Sequence, residues 1–488
     1  MSQGWTPMVA SWVLDEMRTA DLKDRRLNTR LGEVLSQLGS HPEASIPTAC
    51  GGHAEMTAAY RLFDNEKVTF DAVLQPHIDA TRQRIGEQAT VLLVQDTSEI
   101  NMTRPQQQVV GAGPLGSGER RGALLHLLHA FTPDGTPLGT LHALAWARDE
   151  LDESREASSR WQRRLTPIEE KESFRWVQML RRAREEARHC PSTHLVCMAD
   201  SEADIYELLA EAMTEPHDVD WIIRACQNRV LDLQTGEESA EKQLREHVLA
   251  QPVLFTSTIQ LRGREAHISC DTRGRRQPRQ SREAQMQVRA ARVTLSPPYR
   301  KDRKLPPVTV NAVLVREVGA PANDVPVEWL LLTSLPVDEV EQVQQVIQYY
   351  CVRWMIEVFF RVLKSGCRVE ERRFEHIDRV LPCLAVYLIV TWRTLFVCRL
   401  GRSCPDISCE VVFEPSEWKS VWKVVHGSNP PHAPPRLGDM VRVVAQLGGY
   451  INRKGSDPGP QTLWIGMQRM HDFARCWLLF GPDARDGP

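Results

Sequence analysis

From Trp12 to about Ile85, apolar residues recur at helical spacing. Leu22, Leu27, Leu31, Val34 and Leu35 are set among Lys23, Arg25, Arg26 and Arg30, which predicts a small basic helical module. A solvated charged face accounts for the same basic residues. The period then changes. Ala89 to Gln95 is a largely apolar run that reads as a buried strand ending at Asp96. Leu124 to Phe131 and Leu138 to Ala147 flank the turn sequence Pro133-Asp134-Gly135-Thr136-Pro137, so the first three strands read as an antiparallel meander. Glu169 to Arg188 has the pattern of a charged amphipathic helix, and Thr193 to Met198 that of a second buried strand, ending just before Asp200. Ser201 to Met213 reads as a helix capped by Asp200 or Ser201, and Trp221 to Ala225 as a further strand.

Between Arg229 and about Val325 the pattern shifts to short β-branched runs separated by polar stretches. Glu328 to Thr333 returns to a strand, and one long helix is predicted from about Val337 to Cys367. Leu381 to Cys398 is the most apolar stretch. Arg393 interrupts it and it is shorter than the roughly 20 residues of a spanning helix, so it reads as a buried core helix. After about Cys404 the chain is rich in Pro and Trp, then resumes helical patterning.

At 488 residues the chain exceeds one ordinary compact core, so two or three domains, or one enlarged domain with appendages, are expected. Hydrophobic residues at 42% and charged residues at 25% argue against wholesale disorder and against a fibrous or membrane class. The net charge is −3, yet Arg262 to Lys304 holds 13 Lys or Arg against 4 acids. Such segregation suits a polyanion-binding surface, with a solvated loop as the alternative for its tightest Arg cluster. The 12 cysteines include no Cys-x-x-Cys pair, and no secretory signal pattern opens the chain, so a reducing cytoplasm is expected. His189, Cys190, His194 and Cys197 come nearest to a metal cluster, but Cys197 falls inside a strand pattern and ligation is not expected.

Asp96 and Asp200 each follow an apolar strand pattern, where a lone acid is costly unless paired or bound to a cation. Either one alone reads as a cap or turn residue. A third acid lies on the long helix. At about 100° per residue, Tyr350, Arg353, Glu357 and Lys364 fall within about 60° of arc, opposite Val352, Met355, Ile356, Phe359, Val362 and Leu363. The polar set matches an internal salt-bridged stripe. It equally matches a phosphate grip beside a metal-binding acid, because Arg offers a planar fork, Lys a point charge and Tyr a neutral donor.

At these residues the sequence resembles the insertion-sequence-four family of bacterial transposases, the group that includes the Tn-five transposase. The spacing Tyr350-x-x-Arg353-x-x-x-Glu357-x-x-x-x-x-x-Lys364 is the family signature without departure. Gln95-Asp96-Thr97-Ser98, Asp200-Ser201-Glu202-Ala203-Asp204-Ile205 and Trp329-Leu330-Leu331-Leu332-Thr333 resemble its other blocks, as do Ala59-Tyr60-Arg61 and Leu447-Gly448-Gly449-Tyr450. The resemblance implies an α/β fold: a ribonuclease-H-like mixed five-stranded sheet with a β-rich insertion at about 229–325, within a catalytic domain over 86–403. It also implies an N-terminal helical domain over 1–85 that binds transposon ends and a C-terminal helical dimerisation domain over 404–488.

By the same resemblance, Asp96, Asp200 and Glu357 are expected to ligate Mg²⁺, with Mn²⁺ as a substitute and two ions in all. Tyr350, Arg353 and Lys364 are expected to contact DNA phosphate, Trp329 to stack on a flipped base, and Arg224, Arg61, Arg30 and Arg26 to contact DNA. The activity implied is cut-and-paste DNA transposition by hydrolysis and strand transfer, through a DNA hairpin. The partners implied are double-stranded DNA with terminal inverted repeats, target DNA and a second copy of the chain in a synaptic complex, without a membrane. A bacterial, nucleoid-associated cytoplasmic location is expected. A silent DNA-binding inhibitor and a nuclease without joining activity are the alternatives.

Overall fold

Val91, Leu92, Leu93 and Val94 are fully buried because their strand lies inside a sheet with neighbours on both sides. In the computed structural model, β1 (Thr90–Asn101) runs antiparallel to β3 (Arg121–Phe131) and parallel to β5 (His194–Ala199). A strand covered on both faces carries a continuous apolar run instead of alternating residues. The structure describes residues 9–104, 106–116, 119–149, 166–215, 217–232, 242–263, 279–322, 324–453 and 456–482. Residues 264–278, part of the basic stretch from Arg262 to Lys304, therefore lie outside the described residues.

The remaining strands are β2 (Gly113–Pro114), β4 (Pro137–Trp146), β6 (Asp220–Arg224), β7 (Phe255–Leu261), β8 (Arg282–Leu295), β9 (Val308–Val318) and β10 (Glu328–Thr333). They form one 10-stranded mixed sheet in the order β2-β3-β1-β5-β6-β10-β9-β8-β7, with β4 on β3. The expected five-stranded sheet is present within it as β4-β3-β1-β5-β6. The β-rich insertion continues this same sheet, because β10 pairs with β6 on one side and β9 on the other.

Among the described residues five helices precede the sheet: α1 (Ser11–Glu16), α2 (Arg25–Ser40), α3 (Ile46–Cys50), α4 (His53–Phe63) and α5 (Phe70–Gly86). Asp24 caps α2 and Thr69 caps α5 by accepting from backbone N–H groups of the first turn. Next come α6 (Phe174–His189), α7 (Tyr206–Ala212), α8 (Leu244–Leu249), α9 (Val340–Val352), α10 (Trp354–Arg361) and α11 (Ile377–Ser403). The last three are α12 (Pro415–His426), α13 (Leu437–Leu447) and α14 (Pro460–Phe480). Helix α11 contains the apolar stretch around Arg393 and is buried along most of its length among α5, β4 and the C-terminal helices, as a core helix requires.

Helix α5 comes close to β4 at Gly139. Its φ is +146°, and a Cβ there would lie 2.0 Å from Thr81 Oγ1, so only glycine meets both demands. Two buried acids hold the same seam. Glu16 accepts from both terminal nitrogens of Arg84 at 3.0 Å, and Glu186 accepts from Arg82 at 2.7 and 2.8 Å. His77 also contacts Glu16 through Nδ1, and its Nε2 accepts from the Thr140 N–H at 3.0 Å, so His77 is the neutral tautomer with its proton directed at Glu16.

Several expectations need correction. The first strand does not end at Asp96: β1 continues to Asn101 because β3 stays paired to it, whereas its pairing with parallel β5 ends at Val94. Ser201 to Met213 is not one helix but a 3₁₀ turn, Ser201–Ala203, followed by α7. The long helix from Val337 to Cys367 is interrupted twice. It tightens at Arg353, whose N–H bonds Tyr350 O three residues back, and it widens into a π turn at Val362–Gly366.

Candidate active site

Asp96 lies on β1 two positions beyond Val94, the last β1 residue paired with β5. Asp200 occupies the first position after β5 and caps the 3₁₀ turn, with Oδ1 accepting from the Glu202 N–H at 2.8 Å. Glu357 comes from α10. Arg353 joins the helix to the strand: Nη1 donates to Asp96 Oδ2 at 3.2 Å and Nη2 to Glu357 Oε1 at 2.8 Å.

Burial pushes the Asp96 carboxyl up to about 7, and the negative charges of Asp200 and Glu357 add to that rise; Arg353 and the Thr97 N–H oppose it. The three carboxylates thus share one electrostatic environment although they come from three elements. Among the described residues no group of three or more His, Cys, Asp or Glu side chains is gathered tightly enough to hold an ion, since the Arg353 guanidinium stands between Asp96 and Glu357. The His189 to Cys197 group forms no cluster either. His194 bonds Asp220 at 2.7 Å, and the buried Cys197 thiol accepts from Gln95.

Tyr350 is buried, with 5% of its surface exposed, and burial pushes its phenol up to about 12. Its ring meets Trp329 edge-on at 5.6 Å and lies beneath the Arg353 guanidinium at 5.9 Å. Trp329 on β10 is half-buried, and Arg224, on β6 opposite Leu331, donates to Glu328 O at 3.3 Å. Tyr350, Arg353, Glu357, Trp329 and Arg224 therefore gather around Asp96 and Asp200.

Lys364 does not share that position, which corrects the single polar stripe. The π turn changes the helical phase, and the charges acting on Lys364 are those of Glu370, Glu99 and Arg120 instead of the three acids; burial lowers its pKa. In the N-terminal helices Arg26 and Arg61 are exposed, Arg26 lying 3.4 Å from Asp24, and Arg30 is paired with Glu33 at 2.8 Å.

Three family models match this chain: Transposase DNA-binding over residues 9–68, Transposase DDE domain over 164–382, and Transposase Tn5 dimerisation domain over 389–477. The chain belongs to the Tn5-type DDE transposases. The DDE-domain match contains Asp200 and Glu357 but begins after Asp96, which is linked to Glu357 through Arg353. A cryo-EM structure of the piggyBac transposase synaptic complex with hairpin DNA is similar at 10% identity and a TM-score of 0.31, over 68% of this chain and 52% of that chain. This chain thus spans about half the length of that one.

Sequence reasoning missed Arg175, on the first turn of α6. Its Nε donates to Thr97 Oγ1 at 3.0 Å and its Nη2 to Glu202 Oε2 at 2.9 Å, so it touches the neighbours of both aspartates. No spacing signature marks it. The motif blocks around Asp96 and Asp200 contain its two partners, and that is the one hint in the sequence. Asp204 is likewise structural: its carboxylate accepts from the Cys226 and Gln227 N–H groups and from Arg229, holding the loop that follows β6.

Proposed function

We propose that the chain is a DNA transposase that cuts at the ends of its own element and joins those ends to target DNA. The observation that carries this reading is Arg353, a donor fork of fixed geometry held between the carboxylates of a strand and a helix, beside a third acid. Asp96, Asp200 and Glu357 would hold divalent metal, Mg²⁺ with Mn²⁺ as substitute. The donor set fits, because all three are hard oxygen ligands and Asp96 resists ionising without added positive charge. Two such ions, when bound, supply charge stabilisation to the attacking and leaving oxygens of a phosphodiester.

In the DNA-free protein Arg353 acts as the counter-charge of the two acids. On DNA it turns to phosphate, for which its planar fork is equally suited. Tyr350 and Arg224, which lie near Arg353, orient the DNA backbone, and Lys364 contacts the strand farther along the helix. Four transfers follow: hydrolysis frees a 3′-hydroxyl, this hydroxyl attacks the opposite strand to give a hairpin, water reopens the hairpin, and the 3′-hydroxyl attacks target DNA. Trp329, half-buried on β10, offers a face for a base displaced at the hairpin.

The exposed Arg26 and Arg61, with Arg30 between them on the helical module, would bind the terminal inverted repeats over about residues 1–85. The sheet would carry the chemistry over 86–403, and the helices beyond 404 would pair two copies in a synaptic complex. Leu478, Leu479 and Phe480 support the last assignment, being apolar and 48%, 52% and 83% exposed at the end of α14.

The test incubates purified protein with Mg²⁺ and a duplex carrying its own element's terminal repeat. Hairpins and strand-transfer products are expected. Binding without cleavage identifies a DNA-binding inhibitor, nicks without joining identify a nuclease, and full cleavage by Asp96→Asn removes the site assignment.

A further inference from the structure

The two aspartates are held by parallel arrangements that meet at one side chain. Asp96 Oδ1 accepts from the Thr97 N–H at 2.7 Å, and Thr97 Oγ1 accepts from Arg175 Nε. Asp200 Oδ1 accepts from the Glu202 N–H, and Glu202 Oε2 accepts from Arg175 Nη2. We infer that Arg175 is a positioning residue that sets the spacing between Asp96 and Asp200 by tying together the two backbone segments that orient their carboxylates. The inference rests on the proposed reading of the three acids as metal ligands.

The tie is rigid on its helix side. Arg175 is largely buried, its Nη1 donates to Glu172 O at 2.9 Å, and its guanidinium lies 5.5 Å from the Trp176 ring and 6.0 Å from that of Trp146. The strand side is fixed as well. Because an arginine only donates, Thr97 Oγ1 must accept from it and pass its own proton to His126 Nδ1, 2.8 Å away. Burial pushes His126 down to about 3, so the ring is neutral and Nδ1 is free to accept. The fork geometry matters here, because two divergent nitrogens reach two elements at once and a lysine reaches one.

Groups that orient metal ligands without touching the metal typically change affinity or activity by about 10–100-fold when removed. The test uses the full chain bound to a duplex carrying its own terminal repeat and reads Mn²⁺ binding from the loss of the free-ion electron paramagnetic resonance signal. Duplex affinity without metal and thermal stability are measured alongside. Arg175→Met is expected to raise half-saturating Mn²⁺ by about 10–100-fold with unchanged duplex affinity, and Arg175→Lys to fall between. Glu202→Ala, at a residue whose side chain is 53% exposed, removes one arm without threatening the fold. It should weaken Mn²⁺ binding in the same direction, add little when combined with Arg175→Met, and be rescued by Glu202→Gln, which keeps the acceptor.

If Arg175→Met fails to fold, Glu202→Ala and Thr97→Val decide the question. The inference is overturned if Glu202→Ala binds Mn²⁺ like the wild type, if its effect adds fully to that of Arg175→Met, or if Glu202→Gln is as weak as Glu202→Ala, which would make the charge itself the contributor. Asp96→Asn separates the two levels of argument. Mn²⁺ binding unaffected by Asp96→Asn removes the metal-site reading and this inference with it. Binding lost in Asp96→Asn but intact in Glu202→Ala removes this inference alone.

Discussion

Arg353 Nη1 lies 3.2 Å from Asp96 Oδ2, 257 positions away in the chain, while its other terminal nitrogen holds Glu357 at 2.8 Å. One guanidinium thus closes the helix onto the strand. Removing it exposes Asp96 and Glu357 to each other without a counter-charge.

Arg353→Ala is therefore expected to lower single-turnover cleavage of terminal-repeat duplex by about 10–100-fold. Arg353→Lys should rescue it poorly, because one ammonium cannot bridge two carboxylates in this geometry. Equal rescue by lysine, in rates measured at saturating duplex, would reduce Arg353 to a simple positive charge.

The raised Asp96 carboxyl gives metal binding a pH dependence. With its pKa pushed up to about 7, Asp96 is protonated below that value and a cation must displace the proton to bind. Half-saturating Mg²⁺ for cleavage should fall as pH rises from about 6 to about 8. A metal titration at each pH checks this, and a flat profile over that range contradicts the environment assigned to Asp96.

Trp329→Ala should spare the first nick and slow the hairpin stages. A base stacked on an aromatic ring is worth about 1–3 kcal/mol, equivalent to roughly 5- to 150-fold in rate if that contact is made only during those stages. Trp329→Phe should retain much of the rate. Gel analysis of nicked, hairpin and reopened species over time would show the defect, and uniform slowing of every stage would assign the indole to packing against Tyr350.

Acid should loosen the seam between the N-terminal helices and the sheet. Burial alone would raise the Glu16 carboxyl, but the hydrogen bond from neutral His77 and the Arg84 guanidinium outweigh it and hold the group below its ordinary 4.5. Glu186 is held at about 2 against the same burial cost by Arg82 and His142. A carboxyl lowered in the folded state stabilises fully above its unfolded value and loses that contribution as pH falls from about 4.5 through about 2. The Tm of wild type should drop steeply over that interval and that of Glu16→Gln less steeply, as calorimetry at stepped pH would show.

Much of this architecture is legible along the chain. The β1, β3, β5 and β6 strands, the buried helix around Arg393 and the motif spacing of Tyr350, Arg353 and Glu357 depend on local period and on residues a few positions apart. The extent of β1 past Asp96 was not legible, because it is set by the partner strand β3 and not by the polar residues from Thr97 to Glu99. Nor was the departure of Lys364 from its stripe, because ideal helical arithmetic carries no term for a π turn.

By itself, the sequence determined which acids and bases are available, their order, and the elements that carry them, because hydrophobic period and motif spacing act over short distances. Only the tertiary structure decided that Asp96, Asp200 and Glu357 share one electrostatic environment, that Arg353 stands between two of them, and that Arg175 joins the segments orienting the aspartates. Those relationships depend on sheet order, strand register and helix phase, which place residues tens to hundreds of positions apart within hydrogen-bonding distance.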